Sequence, residues 1–367
     1  LGKIYENRRI LLKTYLTENT FDAVMITNPA NVFYYTGFNS DPHERFMALV
    51  IDVVGDKTYL FVPALDKEAA TLVSDVTNII PISDEQDPFQ VVHESIGVKL
   101  KTIGVEAKAL SFYRYNNLMD LFPQLHVADV QPFVNAQRKK KSKKEIEYLM
   151  KAIDIIEKVM AEGIRKVKIG MTESELTAEL EYLMRKFGAD GPSFSTIVLS
   201  GEKAALPHGS PGERVFRKGD YLLIDMGVVK DGYCSDITRT FIIGEATENQ
   251  KKIYDIVLQS NQAGINAVCS GVPLKTFDFA ARNVIIDSGY GDYFNNRVGH
   301  GLGIDVHEEP SIHQNNEELA NEGLVFTIEP GIYIPEHGGV RIEDIVYINE
   351  DGKSEVLTSF PRQLQVL

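Results

Sequence analysis

Five residues in the C-terminal half of this 367-residue chain carry charge or a coordinating nitrogen in settings that discourage both. Asp225 ends the apolar run Tyr221-Leu222-Leu223-Ile224, and Asp236 follows eleven residues later, after Gly232-Tyr233-Cys234-Ser235. His300 sits in Val298-Gly299-His300-Gly301-Leu302-Gly303. Glu329 closes Val325-Phe326-Thr327-Ile328, and Glu343 lies within Gly339-Val340-Arg341-Ile342-Glu343-Asp344-Ile345. A carboxylate on an apolar strand must be paired, hydrogen-bonded or bound to a cation. Any one of these alone fits a strand-end aspartate or a salt-bridged glutamate; four together with a histidine call for more. If the four converge, each close pair of negative charges costs about 4 kcal/mol at an effective dielectric near 20. Two divalent cations, +4 in all, would cancel the four charges.

The elements around these residues point to two domains. Residues 1–130 form a mixed α/β unit: Leu11, Leu12, Tyr15 and Leu16 make a helical stripe, and the β-rich runs 47–53 and 58–62 bracket the turn Gly55-Asp56. Arg138-Lys139-Lys140-Lys141-Ser142-Lys143-Lys144 then places six basic residues in seven. Such a run resembles a nucleic-acid patch, but Ser142-x-x-Glu145 is a capping box followed by apolar residues at helical spacing. Residues 131–142 are therefore expected to be a solvated basic linker, and 143–367 a second domain. Two more capping boxes, Thr172-x-x-Glu175 and Thr247-x-x-Gln250, open helices there, interspersed with short β-rich runs. Helices and strands in clusters make this domain α+β. No Gly-x-Gly-x-x-Gly or P-loop signature is present.

Composition narrows the partners. Against 52 acidic residues stand 38 basic ones, a formal charge of −14, which disfavours nucleic acid and anionic membranes. No apolar run approaches the roughly 18 residues that span a bilayer, and no signal peptide opens the sequence. Two cysteines make a reducing compartment, and so the cytoplasm, the expectation.

In order and local context, Asp225, Asp236, His300, Glu329 and Glu343 resemble the dinuclear-metal ligands of the pita-bread metallopeptidases, a family that includes methionine aminopeptidase, aminopeptidase P and prolidase. The resemblance runs from about Ser142 to the C-terminus, and the preceding domain is similar to the creatinase-type N-terminal domain. It implies an α+β fold with a creatinase-like α/β domain ahead of a pita-bread catalytic domain. It also implies that Asp236 and Glu343 bridge two metal ions, that Asp225 completes one shell, and that His300 and Glu329 hold the other ion. The oxygen-rich donor set favours Mn²⁺, with Co²⁺ or Zn²⁺ as alternatives. Metals roughly 3.5–4 Å apart would share a water, lower its pKa and supply the hydroxide that attacks the scissile carbonyl. Glu329 is the candidate proton shuttle. His208, in Leu206-Pro207-His208-Gly209, and His307, seven residues after His300, match family histidines that contact substrate or stabilise the tetrahedral intermediate.

Within the family, the features point to an Xaa-Pro dipeptidase. A dipeptidase must read a free carboxylate, for which an arginine fork is suited. Arg341 matches a family arginine, either as a substrate anchor or as partner to a ligand carboxylate; Arg297 is the second candidate. The chain departs from relatives at Asn296, where aminopeptidase P has a histidine, and at Asn315, where vertebrate-type prolidases have an arginine. The segment 35–46 resembles short bacterial prolidases. In the homodimer that the family implies, Asp41, His43 and Arg45 either close a partner's pocket or form a surface turn. The alternatives are an aminopeptidase P-like enzyme acting on longer peptides and a non-catalytic peptide-binding module.

Overall fold

The computed structural model of the protein describes residues 2–96 and 100–367, and by its internal contacts the chain divides into two units, Leu1–Arg138 and Lys139–Leu367. The first is built on a six-stranded mixed sheet in the order Asn78–Ile82, Lys57–Pro63, Ala48–Asp52, Ala23–Ile26, Thr102–Val105, His126–Asp129. The expected hairpin forms: Ala48–Asp52 pairs antiparallel with Lys57–Pro63, and the Asp52 carboxylate accepts from Gly55 N at 2.8 Å inside the turn. Pro63, with no N–H to donate, is the last residue of its strand. Leu12 and Leu16 are fully buried, whereas Leu11 is exposed.

The basic stretch differs from the expected solvated linker. Gln131–Lys139 is a helix, started by the Asp129 carboxylate accepting from Gln131 N and anchored by buried Val134. Three cations of the stretch are engaged by the fold, whereas Lys140, Lys143 and Lys144 stay exposed. Arg138 is buried and donates to Asn31 Oδ1 at 2.7 Å. Lys139 pairs with Glu318 at 2.7 Å, and Lys141, with its side chain 1% exposed, pairs with Glu308 at 3.1 Å. Lys139 and Lys141 read as solvated only while their partners, more than 160 residues away in sequence, are unknown.

The second unit is α+β. A three-stranded antiparallel sheet holds Ile197–Ser200, Tyr221–Met226 and Ile237–Ile242, and a five-stranded one runs Glu308–Ile312, Gly299–Gly301, Val325–Ile328, Asp344–Ile348, Ser354–Val356. Helices Lys143–Ile164, Glu173–Lys186 and Glu248–Ala267 each begin at the anticipated capping box, with both reciprocal hydrogen bonds made. Ile156, Val159, Leu176 and Leu180 pack on Leu222 and Ile224 of the smaller sheet. Ile253, Val257 and Phe277 do the same for Phe326 and Val346 of the larger one. The two sheets meet at a backbone bond from Glu343 N to Thr238 O. No helix among the described residues is long and apolar enough to cross a membrane.

Candidate metal centre

Strand pairing dictates why the carboxylates converge. Asp225 lies opposite Thr238, two residues beyond Asp236, so Asp225 and Asp236 project from one face of the smaller sheet. In the larger sheet Ile328 pairs with Asp344, which sets Glu329 and Glu343 just past the end of the same ladder. His300 is central in the short strand beside Val325–Ile328, and its N–H donates to Thr327 Oγ1 at 3.1 Å.

All five line one cavity of about 1010 Å³. Ligand atoms of Asp236, His300 and Glu343 lie within 4.8 Å of one another. His300 Nε2 stands 3.3 Å from Glu329 Oε1 and 3.7 Å from Asp236 Oδ2. Asp225 joins through Arg341, whose Nη2 donates to Asp225 Oδ2; Asp225 Oδ1 is buried with no hydrogen-bond partner among the described residues. A buried anionic oxygen left unmatched, beside three further carboxylates and a neutral imidazole, fits a divalent-cation site.

The electrostatics agree. Burial, then Glu343, Asp225 and Glu329, push the Asp236 carboxyl well above its usual range. Burial, then Glu329 and Asp225, do the same to Glu343. Burial raises Glu329 to about 7 against the partial relief of Arg341. Burial, with His307 and Arg297 nearby, lowers His300 to about 3, leaving its imidazole neutral and able to coordinate.

The remaining expected residues divide. His307 sets its ring edge-to-face on His300, 4.2 Å between centroids, and His208 lines the same cavity from its loop. Arg297 lines it too, with Nη1 donating to Ser311 Oγ at 3.1 Å. Arg341 is 3% exposed and holds three protein partners: Asp225, Tyr333 Oη at 3.0 Å and Thr238 Oγ1 at 3.1 Å. Asn296 lines the cavity, whereas Asn315 does not. His43 and Arg45 belong to the first unit, where His43 stands exposed 3.5 Å from Asp41 and Arg45 forks onto Asp84 at 2.8 and 3.1 Å.

Three supporting residues were not among the sequence candidates, and two of them carry a weak signal. Thr238 donates to Glu343 Oε2 at 2.7 Å and Thr327 to Glu329 Oε1 at 3.3 Å. Each lies two residues from a carboxylate, and so shares its strand face, which alternation alone could reveal. Tyr333 has no such signal.

Comparison with known proteins gives consistent results. The profile of Metallopeptidase family M24 matches residues 147–350, and that of the Creatinase/Prolidase N-terminal domain matches residues 8–140. An uncharacterized peptidase, SH1217 of Staphylococcus haemolyticus, is 41% identical over 341 residues, 93% of this chain and 95% of the relative. Prolidase from Thermococcus sibiricus superposes with a TM-score of 0.92 at 34% identity, covering 99% of each chain. An X-Pro aminopeptidase from Thermotoga maritima superposes with a TM-score of 0.87 at 34% identity, covering 95% of this chain and 98% of that one.

Proposed function

The chain belongs to metallopeptidase family M24, and from that premise we propose that it is a dimetal Xaa-Pro dipeptidase. In this reading Asp225, Asp236, His300, Glu329 and Glu343 would hold the metal ions. Their oxygen-rich donors favour Mn²⁺ over Co²⁺ or Zn²⁺. The bound ions would contribute Lewis acidity toward the scissile carbonyl and a water activated near neutral pH.

The residues of the chain do the rest. Glu329, oriented by the Thr327 hydroxyl, takes the proton of the attacking water at a carboxylate oxygen and delivers it to the departing proline nitrogen. That delivery matters because the proline nitrogen, like any amide nitrogen, must gain a proton to leave as an amine. His208 and His307 donate to the oxygen that becomes negative during attack. Arg341 keeps Asp225 oriented and cannot easily turn to substrate while Asp225, Tyr333 and Thr238 hold it.

The observation that carries the dipeptidase reading is Arg297. It lines the cavity and has no ion-pair partner among the described residues, so its fork is available for the carboxylate of a two-residue substrate. We further propose a cytoplasmic location, in line with a chain that has only two cysteines, and a homodimer in which the loop bearing His43 and Arg45 closes the partner's pocket. The likeness to an X-Pro aminopeptidase favours a second reading, cleavage of Xaa-Pro from longer peptides. Incubating the Mn²⁺-loaded protein with Leu-Pro and with Leu-Pro-Ala separates them. The dipeptide alone should be hydrolysed well; efficient cleavage of the tripeptide would overturn the dipeptidase reading.

A further inference from the structure

The helix Glu248–Ala267 packs an apolar stripe, Ile253, Ile256, Val257 and Ile265, against the larger sheet. In the middle of that stripe stands Asn261, a polar side chain with no exposed surface. Its Nδ2 donates to Ile328 O at 3.1 Å and to Ile342 O at 3.3 Å. These carbonyls belong to the residues directly before Glu329 and Glu343. One amide therefore ties together the two chain segments that present the two glutamates, where the ladder between Val325–Ile328 and Asp344–Ile348 has ended.

We propose that Asn261 is a positioning residue for the metal centre, fixing the spacing of Glu329 and Glu343 through their backbones. This inference rests on the proposed reading that both glutamates are metal ligands. Two features favour positioning over simple core packing. Asn261 Oδ1 is buried without a hydrogen-bond partner among the described residues, so the side chain carries the cost of a desolvated acceptor that an apolar side chain would not. An aspartate of the same shape would have no proton to offer either carbonyl. The neighbouring Gly264 brings helix and strand close: a Cβ there would lie 3.0 Å from Ile328 Cγ2, so the helix is seated tightly on the segment it steers.

The test is Mn²⁺ titration by calorimetry of the EDTA-stripped full chain as wild type, Asn261→Ala and Ser260→Ala. Ser260 is the control: it is equally buried on the same helix, but its hydroxyl donates to Ala281 O at 2.7 Å, away from the glutamates. Loss of an outer-shell partner weakens metal binding by roughly ten- to hundred-fold, and that loss is expected for Asn261→Ala. Ser260→Ala should lower the melting temperature and leave Mn²⁺ affinity within about twofold of wild type. Asn261→Ala binding Mn²⁺ as wild type does would overturn the inference while leaving the metal reading intact. Equal losses in both variants would also overturn it, since general loosening of the helix would then be the cause. A wild-type chain that binds no Mn²⁺ would refute the metal reading and this inference with it. Asn261→Leu, of similar size and with no donor, is read by the same criteria if the alanine variant does not fold.

Discussion

Stripping the metal should leave a protein that becomes less stable as pH rises. The perturbation is EDTA treatment followed by thermal unfolding between pH 6.5 and 8. Glu329 has a folded pKa of about 7 against 4.5 for the free side chain. Between those values the folded state holds a proton that the unfolded chain has released, so stability falls as pH rises through the window. The full cost above pH 7 is about 3 kcal/mol, of which about 1 kcal/mol develops between pH 6.5 and 8. Asp236 and Glu343 are raised as well and act in the same direction. His300 acts oppositely: its pKa falls from 6.5 to about 3 on folding, so its contribution improves with rising pH. Most of that change lies below pH 6.5, and within the window it offsets about half of the Glu329 effect. The two raised carboxylates then decide the sign. For a unit of this size 1 kcal/mol moves the melting temperature by about 2–4 °C, so a decline of several degrees is expected. With Mn²⁺ present the trend should reverse, because ligands must lose protons to bind and the gain from metal grows with pH. A metal-free melting temperature that is flat or rises with pH, or one that Mn²⁺ does not raise, would refute the assignment of these carboxylates to a shared cation site.

Other outcomes follow from the same contacts. Arg341→Leu should destabilise the metal-free protein by about 3–5 kcal/mol in urea unfolding, because it strands Asp225 as a buried, unpaired charge; a loss below about 1 kcal/mol would contradict the pairing. Arg297→Gln should cut kcat/KM for Leu-Pro by roughly ten- to hundred-fold, mainly through KM, as expected for loss of a charged hydrogen bond. The C-terminally amidated Leu-Pro should be insensitive to the same change, and an equal loss on both substrates would exclude carboxylate recognition. Ser142→Ala should cost about 1 kcal/mol by removing the cap of Lys143–Ile164, with little effect on Mn²⁺ affinity measured in parallel.

What the sequence made legible, and what it hid, divides along the range of the interactions. Asp225, Glu329 and Glu343 stood out because each interrupts a run of β-forming apolar residues, and a buried strand leaves a carboxylate few options. Capping boxes at Ser142, Thr172 and Thr247 were equally plain, since each is complete within four residues. The basic stretch is only partly legible, for the opposite reason. Whether Lys139 and Lys141 are solvated depends on Glu318 and Glu308, and no local pattern announces a partner so far along the chain. Arg341 stayed ambiguous on the same account: its sequence neighbourhood placed it near the centre, but only the fold brings Asp225, 116 residues away, against its guanidinium. Asn261 is the sharpest instance. A polar residue inside an apolar helical stripe is visible in the sequence as an anomaly, yet its meaning lies in two backbone carbonyls on a different sheet. The charge of the chain shows the same division: four acids are drawn inward to one cavity, and two divalent ions bound there would bring the net charge from −14 to about −10. The inward four set the chemistry, and the outer remainder acts on solubility.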